Sequence, residues 1–201
     1  MKQKTLILVF IALLMSQIAV IAQNQIPPAL KNAIPSRYKV IYELYHKADF
    51  IESIDIKMEI PSKNGCDNNK ELYPPTEVSI GAYLINNAQI AKLQEEQMPF
   101  SKWLPTKESH KPQIDAWDEM IRYSETSLVE LSGGRGAYYS WTRKCIQSEK
   151  EAYSGVFLTS LFGSHSVKIG IDIIGDIDAS EALAILAELH GVFSTFNFHN
   201  L

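Results

Sequence analysis

Between positions 126 and 173 the chain reads as four extended segments in succession, and no other feature constrains the fold as much. Residues 126–131 are short and partly β-branched. The glycines of Gly133-Gly134-Arg135-Gly136 turn the chain into a second segment over 137–145. A polar turn over 147–151 leads to a third at 153–162. Gly163-Ser164 then reverses into a fourth, where Val167, Ile169, Ile171 and Ile173 alternate with Lys168, Gly170 and Asp172. Parallel neighbours need a crossover of a dozen or more residues, so turns this short favour an antiparallel meander.

The rest of the chain supplies two more strands and the helices. Ile54, Ile56, Met58 and Ile60 alternate with Ser53, Asp55, Lys57 and Glu59, a strand with one wet face, and residues 77–85 repeat the pattern. The stripe Val40, Ile41, Leu44, Tyr45 predicts a helix over 36–48, after a short helix over 29–33. Asn86 is placed as the cap of a helix over 87–97 with Ile90 and Leu93 inward, and Pro112 opens another carrying Ile114, Trp117 and Ile121. Asp178 and Glu181 form a capping box for a last amphipathic helix carrying Leu183, Leu186, Leu189 and Phe193. The expected fold is a two-layer α+β domain: helices on one face of a mainly antiparallel sheet of five or six strands, closed by a C-terminal amphipathic helix. The order of elements resembles the PsbP-like α/β/α sandwich. That resemblance rests on topology alone and implies no function.

Residues 1–22 have the three-part layout of a secretory signal peptide. Lys2 and Lys4 precede the apolar run from Leu6 to Met15, and a more polar stretch ends in Val20-Ile21-Ala22. A membrane anchor wants about 20 apolar residues, and this core meets Ser16 and Gln17 after ten. The expectation is cleavage after Ala22 and a single globular domain over 23–201, periplasmic or extracellular and bacterial, touching the membrane only transiently during export. Removal of two lysines and no acid moves the formal charge from −4 to −6. Nucleic-acid proteins carry a basic surplus, so that partner class is set aside.

Export also alters how the two cysteines read. Cys66 lies in a polar loop and Cys145 ends a strand; in an oxidising compartment they form a candidate disulfide closing a loop of about 80 residues, worth roughly 4 kcal/mol on chain entropy. Two thiols that never meet remain the alternative.

Local motifs assign no chemistry. The Gly133–Gly136 loop precedes a strand sequence rather than a helix and lacks Gly-Lys-Ser/Thr, so a hairpin turn explains its glycines without a phosphate. Asp172, Asp176 and Asp178 lack the ligand spacing of a calcium loop, and Asp178 already serves as a helix cap. The five histidines form no zinc-binding pair, so neither a metal site nor a cofactor is expected, and no catalytic residue is assigned. The aromatic strand is the better lead. Tyr139, Trp141 and Arg143 alternate onto one face, which is either core or a ligand groove where the rings supply area and Arg143 orients. Arg135, at the hairpin tip, is a candidate surface contact. The function expected is a non-enzymatic binding or cell-envelope module for a protein or small-molecule ligand; the rival is a secreted hydrolase whose site is assembled from distant residues.

Overall fold

A computed structural model describes residues 25–61, 75–112, 121–144 and 152–198. The candidate signal peptide, Cys66 and Cys145 lie outside those residues. Eight antiparallel strands form one sheet: β1 (Lys39–Lys47), β2 (Ile51–Ile60), β3 (Thr76–Ile85), β4 (Ile121–Tyr123), β5 (Ser127–Leu131), β6 (Gly134–Lys144), β7 (Ala152–Gly163) and β8 (Val167–Gly175). Their spatial order is β1-β2-β3-β8-β7-β6-β4, with β5 also pairing with β6. The anticipated meander is therefore present, and β3–β8 pairing joins it to the β1-β2-β3 hairpins. The class is α+β.

The sheet has eight strands where five or six were expected, and both differences have a physical origin. Residues 39–47 form an edge strand, not a helix. A bulge between Val40 and Tyr42 shifts the alternation by one. Val40 and Tyr45, five apart, consequently both meet the core, and the apolar spacing imitates a helical stripe. Ile41 and Tyr42 stay 44% and 46% exposed. The other addition is β4: Ile121, expected on a helix, pairs with Arg143 instead, while 113–120 lie outside the described residues.

One sheet face builds the main core. Ile54, Ile56 and Met58 of β2 stand in register with Ala82, Ile80 and Val78 of β3, which in turn face Ile169, Ile171 and Ile173 of β8. Against this face lies the C-terminal helix α3 (Ala179–Thr195), burying Ala182, Ile185, Leu186, Leu189 and Phe193, with Leu30 of the short helix α1 (Pro28–Ala33) in the same cluster. Asp178 caps α3 by accepting from the Glu181 N–H at 2.7 Å, as expected.

The opposite face is covered in part by α2 (Ala88–Gln97), a 3-10 turn (Phe100–Lys102) and the irregular chain up to Pro112, so helices occupy both sides of the sheet. Two details of α2 differ from expectation. Asn87, not Asn86, is its cap, accepting from the Gln89 and Ile90 N–H groups, and Leu93 is 56% exposed while Ala91 is buried. Asn86 instead donates to the buried carboxylate of Glu52.

Candidate functional site

Alternation along β6 sends Tyr138 to the main core and Tyr139, Trp141 and Arg143 to the opposite face. Those rings do not join the main core. They enter a second aromatic cluster over β4, β6 and β7. Tyr139 lies 6.5 Å from Trp141 and 5.9 Å, edge-on, from Tyr123, and 5.6 Å from Phe157 of β7. Burial and the neighbouring Tyr123 push the Tyr139 phenol pKa upward.

Trp141 has a defined seat. Its register partner on β7 is Gly155, and a Cβ there would stand 2.2 Å from the indole Cε2. The indole therefore lies against bare backbone. Its other register partner, Tyr123, lines a cavity of about 420 Å³. One wall of that cavity comes from Lys107, Glu108, Lys111 and Pro112, the other from Tyr123, Ser124, Glu125 and Thr126. The walls carry two lysines and two glutamates, and Lys111 is ion-paired with Glu108. The wall charges cancel, so the cavity selects neither anions nor cations by charge alone.

The two candidate arginines part company. Arg135 sits on the same β6 face, about 20 Å along the strand from Trp141 at the usual rise per residue. It is committed to its cross-strand partner Glu130 at 2.9 Å. Arg143 stays beside the cluster, and its charge acts on Asp176. Burial raises the Asp176 pKa and Arg143 pulls it back. The three aspartates of the weighed calcium reading are thus separated by role: Asp172 accepts from Thr159, Asp178 caps α3 and Asp176 is buried near Arg143. Among the described residues no three metal-ligating groups converge.

Sequence reasoning missed His110. It is 8% exposed, stacked on Phe157 at 4.8 Å and tilted against Tyr139 at 5.5 Å, and so ties the cavity-wall segment to the sheet. Its carbonyl accepts from the buried Thr126 hydroxyl at 2.8 Å, and its Nε2 is buried without a hydrogen-bond partner among the described residues. Burial lowers the imidazole pKa, partly offset by a hydrogen bond with the Phe157 backbone and by Asp172. Period-two reading of β7 places Gly155 and Phe157 on one face. Nothing local marks His110, because its contacts come from strands far along the chain.

A second cavity, about 340 Å³, lies where the end of α3 meets the β7–β8 turn, lined by Phe162, Phe193, Phe196 and Phe198. His190 borders this region, packed on Phe162 at 4.5 Å. Comparison with protein-family models, curated proteins and solved structures finds no match for this chain.

Proposed function

We propose that the chain is an exported, non-catalytic binding module whose ligand is a neutral saccharide held at the Tyr123 end of the 420 Å³ cavity and reaching the neighbouring Trp141. The observation that carries this reading is the indole of Trp141 seated on Gly155, beside a ring that lines the cavity. An indole backed by main chain offers a rigid, flat apolar surface at little entropic cost. The C–H face of a sugar ring matches that surface. The charged side chains of the wall, Lys107, Glu108, Lys111 and Glu125, match its hydroxyl edge, and their cancelling charge suits a neutral molecule. Tyr139 lies beside the platform, tilted against the indole at 6.5 Å, and Arg143 is the next residue on that face of β6.

Export is part of the same proposal and rests on the charged, apolar and polar order of residues 1–22. Intact-mass measurement of the secreted chain tests it; retention of Met1 would exclude cleavage. Ligand binding is tested by titrating the mature protein with cello-, xylo-, chito- and malto-oligosaccharides, following heat and tryptophan emission. One class should bind, and Trp141→Ala should weaken it at least about tenfold, or about 1.4 kcal/mol. Undiminished binding by Trp141→Ala, or silence across the panel at millimolar concentration, removes the saccharide assignment.

A further inference from the structure

His110 lies in sequence between the residues that make one cavity wall, yet its ring does not line the cavity. It is driven into the sheet instead. Two groups hold the wall at this point: the imidazole, stacked on Phe157 and Tyr139 and hydrogen-bonded with the Phe157 backbone, and the His110 carbonyl, bonded to the Thr126 hydroxyl of the facing wall. Burial makes the first strongest with a neutral ring. A proton added at Nε2 would place a charge on a buried atom with no acceptor among the described residues. The second ties the two walls together wherever the first keeps the segment docked.

We propose that His110 is a proton-operated latch on this cavity: neutral, it docks the wall segment on the sheet and keeps the ligand site formed; protonated, it leaves the aromatic pocket and the wall opens. Ligand release in acid rests on the binding reading above, whereas undocking of the wall does not.

The groups around the ring set the sign. Tyr139 on β6 is a neutral phenol, and Phe157 on β7 carries no charge, though the hydrogen bond with its backbone favours the imidazolium. Asp172 on β8 is the acid whose charge favours the imidazolium, and Thr159 already donates to it. Lys107, Glu108 and Lys111 are the charged residues on the segment itself, and Glu108 is paired with Lys111. Burial is the largest effect and favours the neutral ring. The docked ring therefore titrates below the ordinary value of 6.5 that the released ring has. Docking is at full strength above that ordinary value. It weakens as pH falls from there through the docked value, and levels off below it.

The test is amide hydrogen exchange across residues 103–112 of the mature chain at about pH 7.5 and about pH 5, corrected for intrinsic rates. Protection of this segment should fall by about tenfold or more in acid while α3 is unchanged, and His110→Phe, which keeps the stack and cannot titrate, should hold protection at both values. Equal protection of the native segment at both values overturns the latch, as does acid release in His110→Phe. Should that variant fail to fold, the native imidazole resonance serves. Its NMR titration midpoint must coincide with the loss of protection, and a mismatch overturns the proposal. Where an oligosaccharide binds, its affinity should fall in acid with the native chain and stay level with His110→Phe. Acid undocking with no saccharide bound at either pH supports the latch and removes the saccharide reading alone.

Discussion

The indole of Trp141 occupies the space in which a side chain at position 155 would stand: a Cβ on Gly155 would lie 2.2 to 2.4 Å from indole Cε2, Cζ2 and Nε1. The ring's place on the sheet thus depends on a residue with no side chain on the neighbouring strand. Gly155→Ala should push the indole off β7, shifting tryptophan emission and costing about 1–3 kcal/mol through forced repacking. Chemical denaturation read beside emission spectra checks it, and wild-type emission from a folded Gly155→Ala protein would count against the seat described.

Glu52 is a second specific relationship, at the β1–β2 hairpin. Its carboxylate is 3% exposed and accepts from the Tyr45 hydroxyl at 2.7 Å, from Lys47 at 3.1 Å and from Asn86. Burial alone would raise its pKa, but the donors from Tyr45, Lys47 and Asn86 outweigh that and the net displacement is downward. The same carboxylate pushes the Tyr45 phenol, already raised by burial, up to about 12. A lowered carboxylate pKa contributes stability above the ordinary value near 4.5, lost as pH falls through the folded value. Glu52→Gln should cost about 2 kcal/mol at neutral pH and flatten the acid limb of the melting-temperature profile below about pH 4.5. An unchanged acid limb would show that Glu52 is not one of the groups driving acid unfolding.

How legible the sequence was depends on whether a side chain's partners were local. The alternation of Val167, Ile169, Ile171 and Ile173, the Gly163 reversal and the Asp178 cap are each decided within a few residues, and each stands in the structure. One bulged residue at β1 was enough to turn a strand's pattern into a helix's, because the period is the only signal an edge strand offers. The two faces of β6 were readable as a pair. Which face met α3 was not, since that follows from the pairing of β3 with β8 across more than 80 residues of chain. Tyr139 and Trp141 could be placed together on that ground. His110, Tyr123 and Gly155 could not be added, because the sheet alone brings them there.

Gly163 makes the β7–β8 reversal with φ of +128°, and a Cβ there would stand 2.1 Å from the Val167 carbonyl oxygen. Neither the dihedral nor the backbone contact can relax by rotating a side chain. Gly163→Ala should therefore cost about 3 kcal/mol or more, beyond what an ordinary turn glycine costs. The denaturant midpoint, compared with that of Gly191→Ala, where a Cβ meets nothing within 4 Å, separates the strained position from a helical one.

Lys168 holds α2 to the sheet through an arrangement whose two contributions oppose each other. Its ammonium lies 5.1 Å from the Trp103 ring centre and 5.6 Å from that of Tyr83, with Gln94 as a hydrogen-bond acceptor at 3.4 Å, and the residue is 9% exposed. Two rings over a cation are worth about 0.5–2 kcal/mol, whereas a buried charge without a contacting carboxylate loses more hydration than one weak acceptor restores. The direction of its pKa decides between them: burial lowers it, and Glu95 recovers only part, so the site favours the neutral amine. The site thus works against the charged form of the lysine. Lys168→Met keeps the apolar stem between the rings and removes the charge. It should stabilise the protein by about 1 kcal/mol, raising the melting temperature by about 2–4 °C in a chain of this size. The gain should shrink as pH rises through the lowered lysine value, where the native side chain sheds its proton. A fall in melting temperature at neutral pH would instead mean that the rings outweigh desolvation, and that α2 is anchored by the cation itself.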